Sequence, residues 1–161
     1  MLIAPMEATP DTYRIGLIAD THGRFHPKIP ALFAPVDEIW HLGDVCEEAI
    51  LDELRQINPN LLVVRGNNDW DLDAYPLTLD LERGGEAFHL VHIPPGQRTM
   101  PQGAGWVLHG HTHVPRDERN PGGRRVYNPG SAGLANKGAP LSLAILEKAP
   151  GDFFRPHLIK L

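Results

Sequence analysis

Five short apolar segments of this sequence end at a polar residue, or are followed by one directly or after a single glycine. Runs of this length and composition, bounded by glycine and proline, are typical of buried β-strands. Because the strands of an α/β sheet present their carboxyl ends at a common edge, we expect these polar side chains to converge there. The segments are Tyr13–Ala19, Glu38–Leu42, Leu61–Arg65, Glu86–His92 and Trp106–His109, and the polar residues are Asp20, Asp44, Asn67, His92 and His111.

The remaining pattern predicts one helix and a second group of strands. Apolar residues at helical spacing favour a helix over Glu47–Ile57, whereas Thr21–Pro35 reads as loop with a helical turn near Ala31–Phe33. Two of the later strands flank a hairpin signal, Arg83-Gly84-Gly85. The later strands are predicted at Leu77–Leu81, Glu86–His92, Trp106–His109, Val126–Asn128, Leu141–Glu147 and His157–Leu161.

This order of elements predicts an α/β (α+β) fold. Early strands alternate with a helix and later strands are connected mostly by turns, so we expect two packed β-sheets with helices outside. Residues 1–12 include Pro5 and Pro10 and show no periodicity. We therefore interpret residues 1–12 as an N-terminal tail and residues 13–161 as a single domain.

Composition narrows the class of protein. The chain has 161 residues, 42% of them hydrophobic, which is typical of a globular domain. Its formal net charge of -5 argues against nucleic-acid binding as its function. A single cysteine, Cys46, excludes an internal disulfide and any zinc site that needs two thiolates. No apolar run approaches the roughly 20 residues of a membrane span, and Met1 to Asp11 lacks a basic residue. We expect a cytoplasmic protein with no membrane partner.

The polar residues form a set that suits metal ions. Asp20 and His22 are two residues apart, as are His111 and His113, and such a spacing lets both side chains of a pair face one ion. The set contains oxygen and nitrogen donors and no thiolate, which suits Mn²⁺, Fe²⁺ or Zn²⁺. Seven candidates are too many for one tetrahedral ion and fit two ions. They are Asp20, His22, Asp44, Asn67, His92, His111 and His113.

This ordered set resembles the calcineurin-like metallophosphoesterase superfamily, and within it the small bacterial and archaeal phosphodiesterases of the YfcE type. The resemblance extends from about Tyr13 to Leu146. The motifs that carry it are Asp20-x-His22, Gly43-Asp44, Gly66-Asn67-Asn68-Asp69, His92, Gly110-His111-Thr112-His113 and Asn128-Pro129-Gly130-Ser131.

The resemblance implies a four-layer αββα sandwich with two mixed β-sheets between helices. It implies a first metal held by Asp20, His22, Asp44 and His113, and a second held by Asp44, Asn67, His92 and His111, with Asp44 bridging them. Manganese is the metal that it implies first, with iron, nickel or zinc as alternatives. The expected activity is hydrolysis of a phosphoester, in particular a phosphodiester, by a hydroxide that bridges the two ions.

Three departures from the family pattern bear on the site. Ile93 follows His92 where relatives carry glycine, which leaves His89 as an alternative ligand. The stretch from His92 to Trp106 is rich in proline and glycine, so a regular helix is not expected there. Asn68 stands where distant relatives carry a histidine that protonates the leaving group, and an asparagine can only hydrogen-bond a phosphate oxygen. We interpret Asp44, Asn68 and Asp69 as the catalytic group, with Asp69 orienting a ligand or a loop.

Other functions remain open on the sequence alone. The fold could serve as a protein-interaction scaffold, as in Vps29, or act on phosphomonoesters or nucleotides, and a homo-oligomer is compatible with the sequence. Four arginines after the second histidine pair are read either as a solvated loop or as an attraction for an anionic substrate. These are Arg116, Arg119, Arg124 and Arg125. The histidines outside the seven, among them His41 and His109, are assigned packing or surface roles.

Overall fold

The structure, a computed structural model, describes residues 11–136 and 138–161, which contain ten β-strands and two α-helices. Residues 1–10 of the predicted tail lie outside this range. The helices are α1 (Ile29–Phe33) and α2 (Glu48–Ile57). The strands are β1 (Tyr13–Ile18), β2 (Glu38–His41), β3 (Leu61–Val63), β4 (Thr78–Arg83), β5 (Glu86–Val91), β6 (Trp106–Leu108), β7 (Arg116–Arg119), β8 (Arg125–Asn128), β9 (Ser142–Lys148) and β10 (Arg155–Lys160).

The strands form two mixed sheets of five strands each, as predicted. The first sheet has the order β10-β9-β1-β2-β3, in which β1, β2 and β3 are parallel, β9 pairs antiparallel with β1, and β10 pairs antiparallel with β9. The second has the order β4-β5-β6-β8-β7, in which β5, β6 and β8 are parallel. Parallel strands end at one edge of their sheet, so each sheet presents several strand ends on the same side.

The two sheets pack face to face around a continuous apolar core. Alternate residues of β1 and β2, such as Leu17 and Trp40, point inward and meet Phe88, Leu90 and Trp106 of the second sheet. Phe88 packs against the ring of Trp40 at 5.1 Å between centroids and against Trp106 at 5.8 Å. This packing fixes the distance between the sheets and therefore between the loops at their ends.

Both α-helices cover the outer face of the first sheet. Ile50, Leu51 and Leu54 of α2 lie on the buried side of that helix, in the same apolar cluster as Phe33 of α1. Gly16 of β1 makes room for α1, because a Cβ atom at this position would lie 2.9 Å from the Phe33 ring. The predicted helix over Glu47–Ile57 is confirmed, and the predicted helical turn extends to the whole of Ile29–Phe33.

The outer face of the second sheet has no α-helix among the described residues. Its cover is the segment between β5 and β6, in which only Gln97–Thr99 form a 3₁₀ turn. The guanidinium of Arg124 donates to the Ala104 carbonyl at 3.1 Å and ties this segment to the sheet. The fourth layer is thus a loop, as the prolines of this stretch predict.

The interpretation of the four arginines as a solvated loop was wrong for three of them, since Arg125 lies in β8 and Arg116–Arg119 form a strand of their own. The latter strand is β7, an edge strand that pairs antiparallel with β8. The charges of these arginines are largely compensated, because Arg116 pairs with Glu118 at 2.8 Å and Arg125 of β8 forms a bidentate pair with Asp117 at 2.7 and 2.8 Å.

In the described part of the chain, no helix is long and apolar enough to cross a membrane.

Candidate metal centre

The loops that follow β1, β2, β3, β5 and β6 meet at one end of the sandwich, and each carries a predicted site residue. Five of the seven predicted ligands adopt a left-handed backbone, which costs a non-glycine residue roughly 1–2 kcal/mol. The φ angles are 54° for Asp20, 46° for His22, 55° for Asp44, 73° for His111 and 61° for His113. Strain of this kind persists only where surrounding contacts hold it, and it clusters at functional sites.

Backbone contacts between the first two loops hold these conformations. The Asp20 amide donates to the Gly43 carbonyl at 2.9 Å, and the His22 amide donates to the Asp44 carbonyl at 3.0 Å. Gly66 allows the third loop to approach closely, because a Cβ atom there would lie 2.2 Å from Asp44 Oδ1. These contacts fix the loops relative to one another and so restrict the movement of the side chains that the loops carry.

The first predicted ligand set is assembled in the structure. One ligand atom from each of Asp20, His22, Asp44 and His113 lies within 4.8 Å of all the others. His22 Nε2 lies 3.1 Å from His113 Nε2 and 3.6 Å from Asp44 Oδ2, and His113 Nε2 lies 3.4 Å from Asp20 Oδ1. The other ring nitrogen of His22 contacts the Cys46 sulfur at 3.5 Å, which leaves Nε2 directed at the cluster.

Members of the second predicted set lie next to the first. His92 Nε2 is 3.3 Å from Asp44 Oδ1, the carboxylate oxygen that does not face His22. His111 Nδ1 is 3.1 Å from the side-chain oxygen of Asn67, and the rings of His92 and His111 are 5.2 Å apart between centroids. The two oxygens of Asp44 thus face the two sets.

The hydrogen bond of His92 fixes which of its nitrogens faces the centre. Its Nδ1 lies 2.8 Å from the Leu42 carbonyl, which can only accept, so Nδ1 carries the proton and Nε2 is free to bind a cation. The alternative residue, His89, pairs instead with the exposed carboxylate of Asp80 at 2.7 Å. The structure brings His92, and not His89, into the cluster.

Two buried polar atoms of the cluster, Asp20 Oδ1 and His92 Nε2, have no hydrogen-bond partner among the described residues. They lie 3.8 Å apart, too far for a hydrogen bond. A buried polar atom without a partner costs about 1–3 kcal/mol, so such atoms call for a ligand. Burial also raises the pKa of Asp20 to about 7, which a nearby cation would reverse.

Asp44 has the opposite environment. Burial alone would raise its pKa, but the imidazole of His92, in its protonated form when no cation is bound, and the two amide groups of Asn68 outweigh burial and hold the pKa well below its usual range. The Asn68 backbone amide donates to Asp44 Oδ1 at 2.9 Å and its side-chain amide donates to Oδ2 at 2.8 Å. Asn68, proposed to meet a phosphate oxygen, therefore orients Asp44 in this structure.

Asp69 holds the backbone of two site loops. Its carboxylate accepts from the amides of Asp44 at 2.9 Å, Cys46 at 2.7 Å and Gly66 at 2.7 Å. The side chain is buried and engaged on both oxygens, so it is directed at the backbone rather than at the ligand cluster. Asp69 joins the loops after β2 and β3.

Sequence reasoning missed several buried side chains that support the centre. His41 accepts from the Gly43 amide at 3.1 Å through Nδ1 and donates to the Thr21 hydroxyl at 3.0 Å through Nε2. The Ser131 hydroxyl donates to the Asp20 carbonyl at 2.9 Å. Asn128 donates to the Gly110 carbonyl at 3.2 Å and to Thr112 at 3.0 Å. The Asn128-Pro129-Gly130-Ser131 motif was the available signal, since it contains two of these supports.

Comparison with known proteins assigns the family. A family model described as the calcineurin-like phosphoesterase superfamily domain matches residues 13–150. The chain belongs to this superfamily.

Several solved structures share the fold of the chain. Vps29 of Chaetomium thermophilum superposes with a TM-score of 0.74 at 19% identity, covering 92% of this chain and 95% of that one. The E. coli phosphoesterase Yfce gives a TM-score of 0.70 at 21% identity, covering 91% and 98%. An archaeal phosphodiesterase gives 0.70 at 22% identity, covering 91% and 99%. At these identities the likeness establishes the fold alone.

Proposed function

We propose that this chain is a metal-dependent phosphodiesterase that hydrolyses a small-molecule phosphoester at a dinuclear centre. The observation that carries the proposal is the convergence of carboxylate and imidazole donors on a point where Asp20 Oδ1 and His92 Nε2 are buried without partners. Membership of the calcineurin-like phosphoesterase superfamily supports the reaction class. A net charge of -5 favours a small substrate over a nucleic acid.

The donor set fits two divalent cations. Asp20, His22, Asp44 and His113 would hold one ion, and Asp44, Asn67, His92 and His111 the other, with one oxygen of Asp44 facing each set. Mixed carboxylate, imidazole and amide donors without a thiolate suit manganese, iron, nickel or zinc, and among these we propose Mn²⁺ because the family resemblance implies it. When bound, such ions would polarise the phosphate of the substrate and lower the pKa of a bound water.

The residues of this chain then hold and orient the reacting groups. Asn68 donates a hydrogen bond to the carboxylate of Asp44, and Asp69 accepts one from the backbone amide of Asp44. The shared carboxylate therefore cannot swing between the two sets. Asn68 cannot act as a general acid, because an amide has no proton to give up at neutral pH. The enzyme therefore favours esters whose leaving groups depart without protonation, such as aryl esters.

A second candidate is a protein-interaction scaffold, which the superposition with Vps29 favours. The full set of potential ligands in this chain weighs against the scaffold, because a scaffold needs no convergent buried donors. A phosphomonoesterase or nucleotidase is the third candidate and uses the same centre. Activity on matched substrates separates all three.

The test is the hydrolysis of bis-p-nitrophenyl phosphate and p-nitrophenyl phosphate by protein loaded with Mn²⁺. We expect faster turnover of the diester, and a loss on the order of 10³-fold in kcat/KM for Asp44→Asn, because that variant removes a ligand shared by both ions. Asp117→Asn is the matched control, since Asp117 pairs with Arg125 on the β7–β8 edge, away from the cluster.

Each other outcome selects a rival function. Faster turnover of the monoester would select the phosphomonoesterase. No metal-dependent turnover of either ester, with Mn²⁺ binding measured by calorimetry, would select the scaffold. Equal losses in Asp44→Asn and Asp117→Asn would show that the hydrolysis does not depend on this centre.

A further inference from the structure

An apolar groove of about 350 Å³ lies beside the candidate metal centre and shares two residues with it. Its walls include Leu77, Val91 and Ile93, and its remaining lining includes the predicted ligands Asn67 and His92. Leu77 and Ile93 are 59% and 51% exposed, so their side chains are open to a ligand from solvent. Apolar side chains grouped in a concave surface are typical of a ligand site.

A further exposed aromatic ring lies on the same loop as Asn67. Trp70 is 79% exposed, and its indole N–H donates to the Asn67 carbonyl at 2.8 Å. This bond fixes the ring near a residue that lines the groove. A large rigid ring held in solvent offers a surface on which a planar group can stack.

The charge of the groove indicates an uncharged occupant. Among the described residues that line it, the only guanidinium belongs to Arg65, and it is paired with Asp73 at 2.6 Å. An anionic group in the groove would therefore find no unpaired arginine. Since a phosphate belongs at the metal cluster, the group next to it in the groove is one that gains from apolar contact.

We propose that this groove binds the planar aromatic ring of the substrate's leaving group, with Leu77 and Ile93 as its specificity-determining contacts. The ring is uncharged in the ester, and the leaving oxygen, which departs as an aryl oxide, would face the candidate metal centre and not the groove. The inference rests on the proposed phosphodiesterase function. Asn67 and His92 belong to both the groove and the cluster, so a group in the groove can be joined to a phosphate at the cluster. The absence of an acid at Asn68 points the same way, because aromatic alcohols leave without protonation more readily than aliphatic ones.

The experiment compares two diesters, methyl phenyl phosphate and methyl 2-naphthyl phosphate, whose leaving groups have similar pKa values but different apolar area. For the Mn²⁺-loaded protein we expect kcat/KM for the naphthyl ester to exceed that for the phenyl ester by about five- to tenfold, as burial of the extra ring predicts. Leu77→Ser and Ile93→Ser should each reduce this ratio toward one. Leu158→Ser, at a similarly exposed leucine (43%) on β10, should retain the wild-type ratio.

The outcomes separate this inference from the function on which it rests. Turnover of both esters with a wild-type ratio near one would overturn the groove assignment and leave the phosphodiesterase intact. A ratio that stays high in both serine variants would also overturn it. Turnover of neither ester would overturn the proposed function itself. If Leu77→Ser fails to fold, Ile93→Ser makes the same test at a second residue of the groove lining.

Discussion

The two candidate ligand sets share Asp44 but differ in their access to water. In the first set Asp20 and Asp44 are buried, and His22 and His113 are half-buried. In the second set His92 is buried, whereas Asn67 and His111 are exposed. One centre thus combines an enclosed half and an open half.

The difference follows from the elements that carry each set. Asp20 and His22 lie on a loop that is bonded along its backbone to the loop after β2, between the sheets and the Ser131 segment. Asn67 lies in a turn with the exposed Asn68 and Trp70. Ligands that are already fixed lose less entropy on binding, so we expect the enclosed half to bind its ion more tightly. The open half is where a substrate can enter.

Replacing one histidine from each half gives the largest expected contrast. His22→Ala should weaken the tighter of two Mn²⁺ binding events by more than the roughly 10–100-fold that is typical for residues that only position a ligand, because it removes a ligand from the enclosed set. His111→Ala should weaken only the looser event. Isothermal titration calorimetry of metal-free protein with Mn²⁺ measures both events.

The exposed His157 of β10 provides the matched control, and His157→Ala should leave both binding events unchanged. If His22→Ala and His111→Ala weakened the same event equally, the division into an enclosed and an open half would be wrong.

Much of this architecture could be predicted from the sequence, because apolar runs that end in polar residues report both the strands and their common edge. Asp20, Asp44 and His92 could be placed near one another by this reasoning alone. The strand Arg116–Arg119 could not, because every residue in it is charged and it carries no apolar alternation. It forms at a sheet edge, where backbone pairing with β8 suffices and the side chains stay in water.

The supports of the site were harder to predict than its ligands. A buried histidine such as His41 gives the same sequence signal as a packing residue, and only its contacts reveal that it holds Thr21 and Gly43. The left-handed backbone at Asp20 and His22 also has no local signal, since neither residue is glycine. It is imposed by tertiary contacts that a single sequence does not show.

Asn128 supports both halves at once, so its replacement should blur the contrast between them. Asn128→Ala removes the bonds to Gly110 and Thr112 that hold the loop of His111 and His113. We expect both Mn²⁺ binding events to weaken by about 10- to 100-fold, the range found for residues that position metal ligands. Asn120→Ala, in the turn between β7 and β8, should leave both affinities unchanged. An effect of Asn128→Ala confined to one event would show that the loop serves one half only.

The smallest expected effect concerns acid stability, and it tests how far the enclosed half depends on His41. Burial lowers the pKa of His41 from 6.5 to about 3. Because the folded protein binds this proton less tightly than the unfolded chain, the stability that neutral His41 contributes is present above pH 6.5 and is lost as the pH falls toward 3. Unfolding then takes up about one proton, so the free energy of unfolding should decrease by about 1.4 kcal/mol per pH unit from this group.

Urea unfolding of metal-free protein between pH 4 and 6 measures this slope. His41→Gln should have a lower free energy of unfolding at pH 7, by about 1–2 kcal/mol, since its contacts with Gly43 and Thr21 are altered. Between pH 6 and 4 the free energy of unfolding of His41→Gln should decrease less steeply than that of the wild type. The expected difference in slope is about 1.4 kcal/mol per pH unit, which corresponds to the uptake of one proton. The carboxylates titrate in both proteins, so the difference isolates His41. Equal slopes for the wild type and His41→Gln would mean that His41 is protonated in the folded protein. The loop after β2 would then have to rearrange to accommodate the charged imidazole.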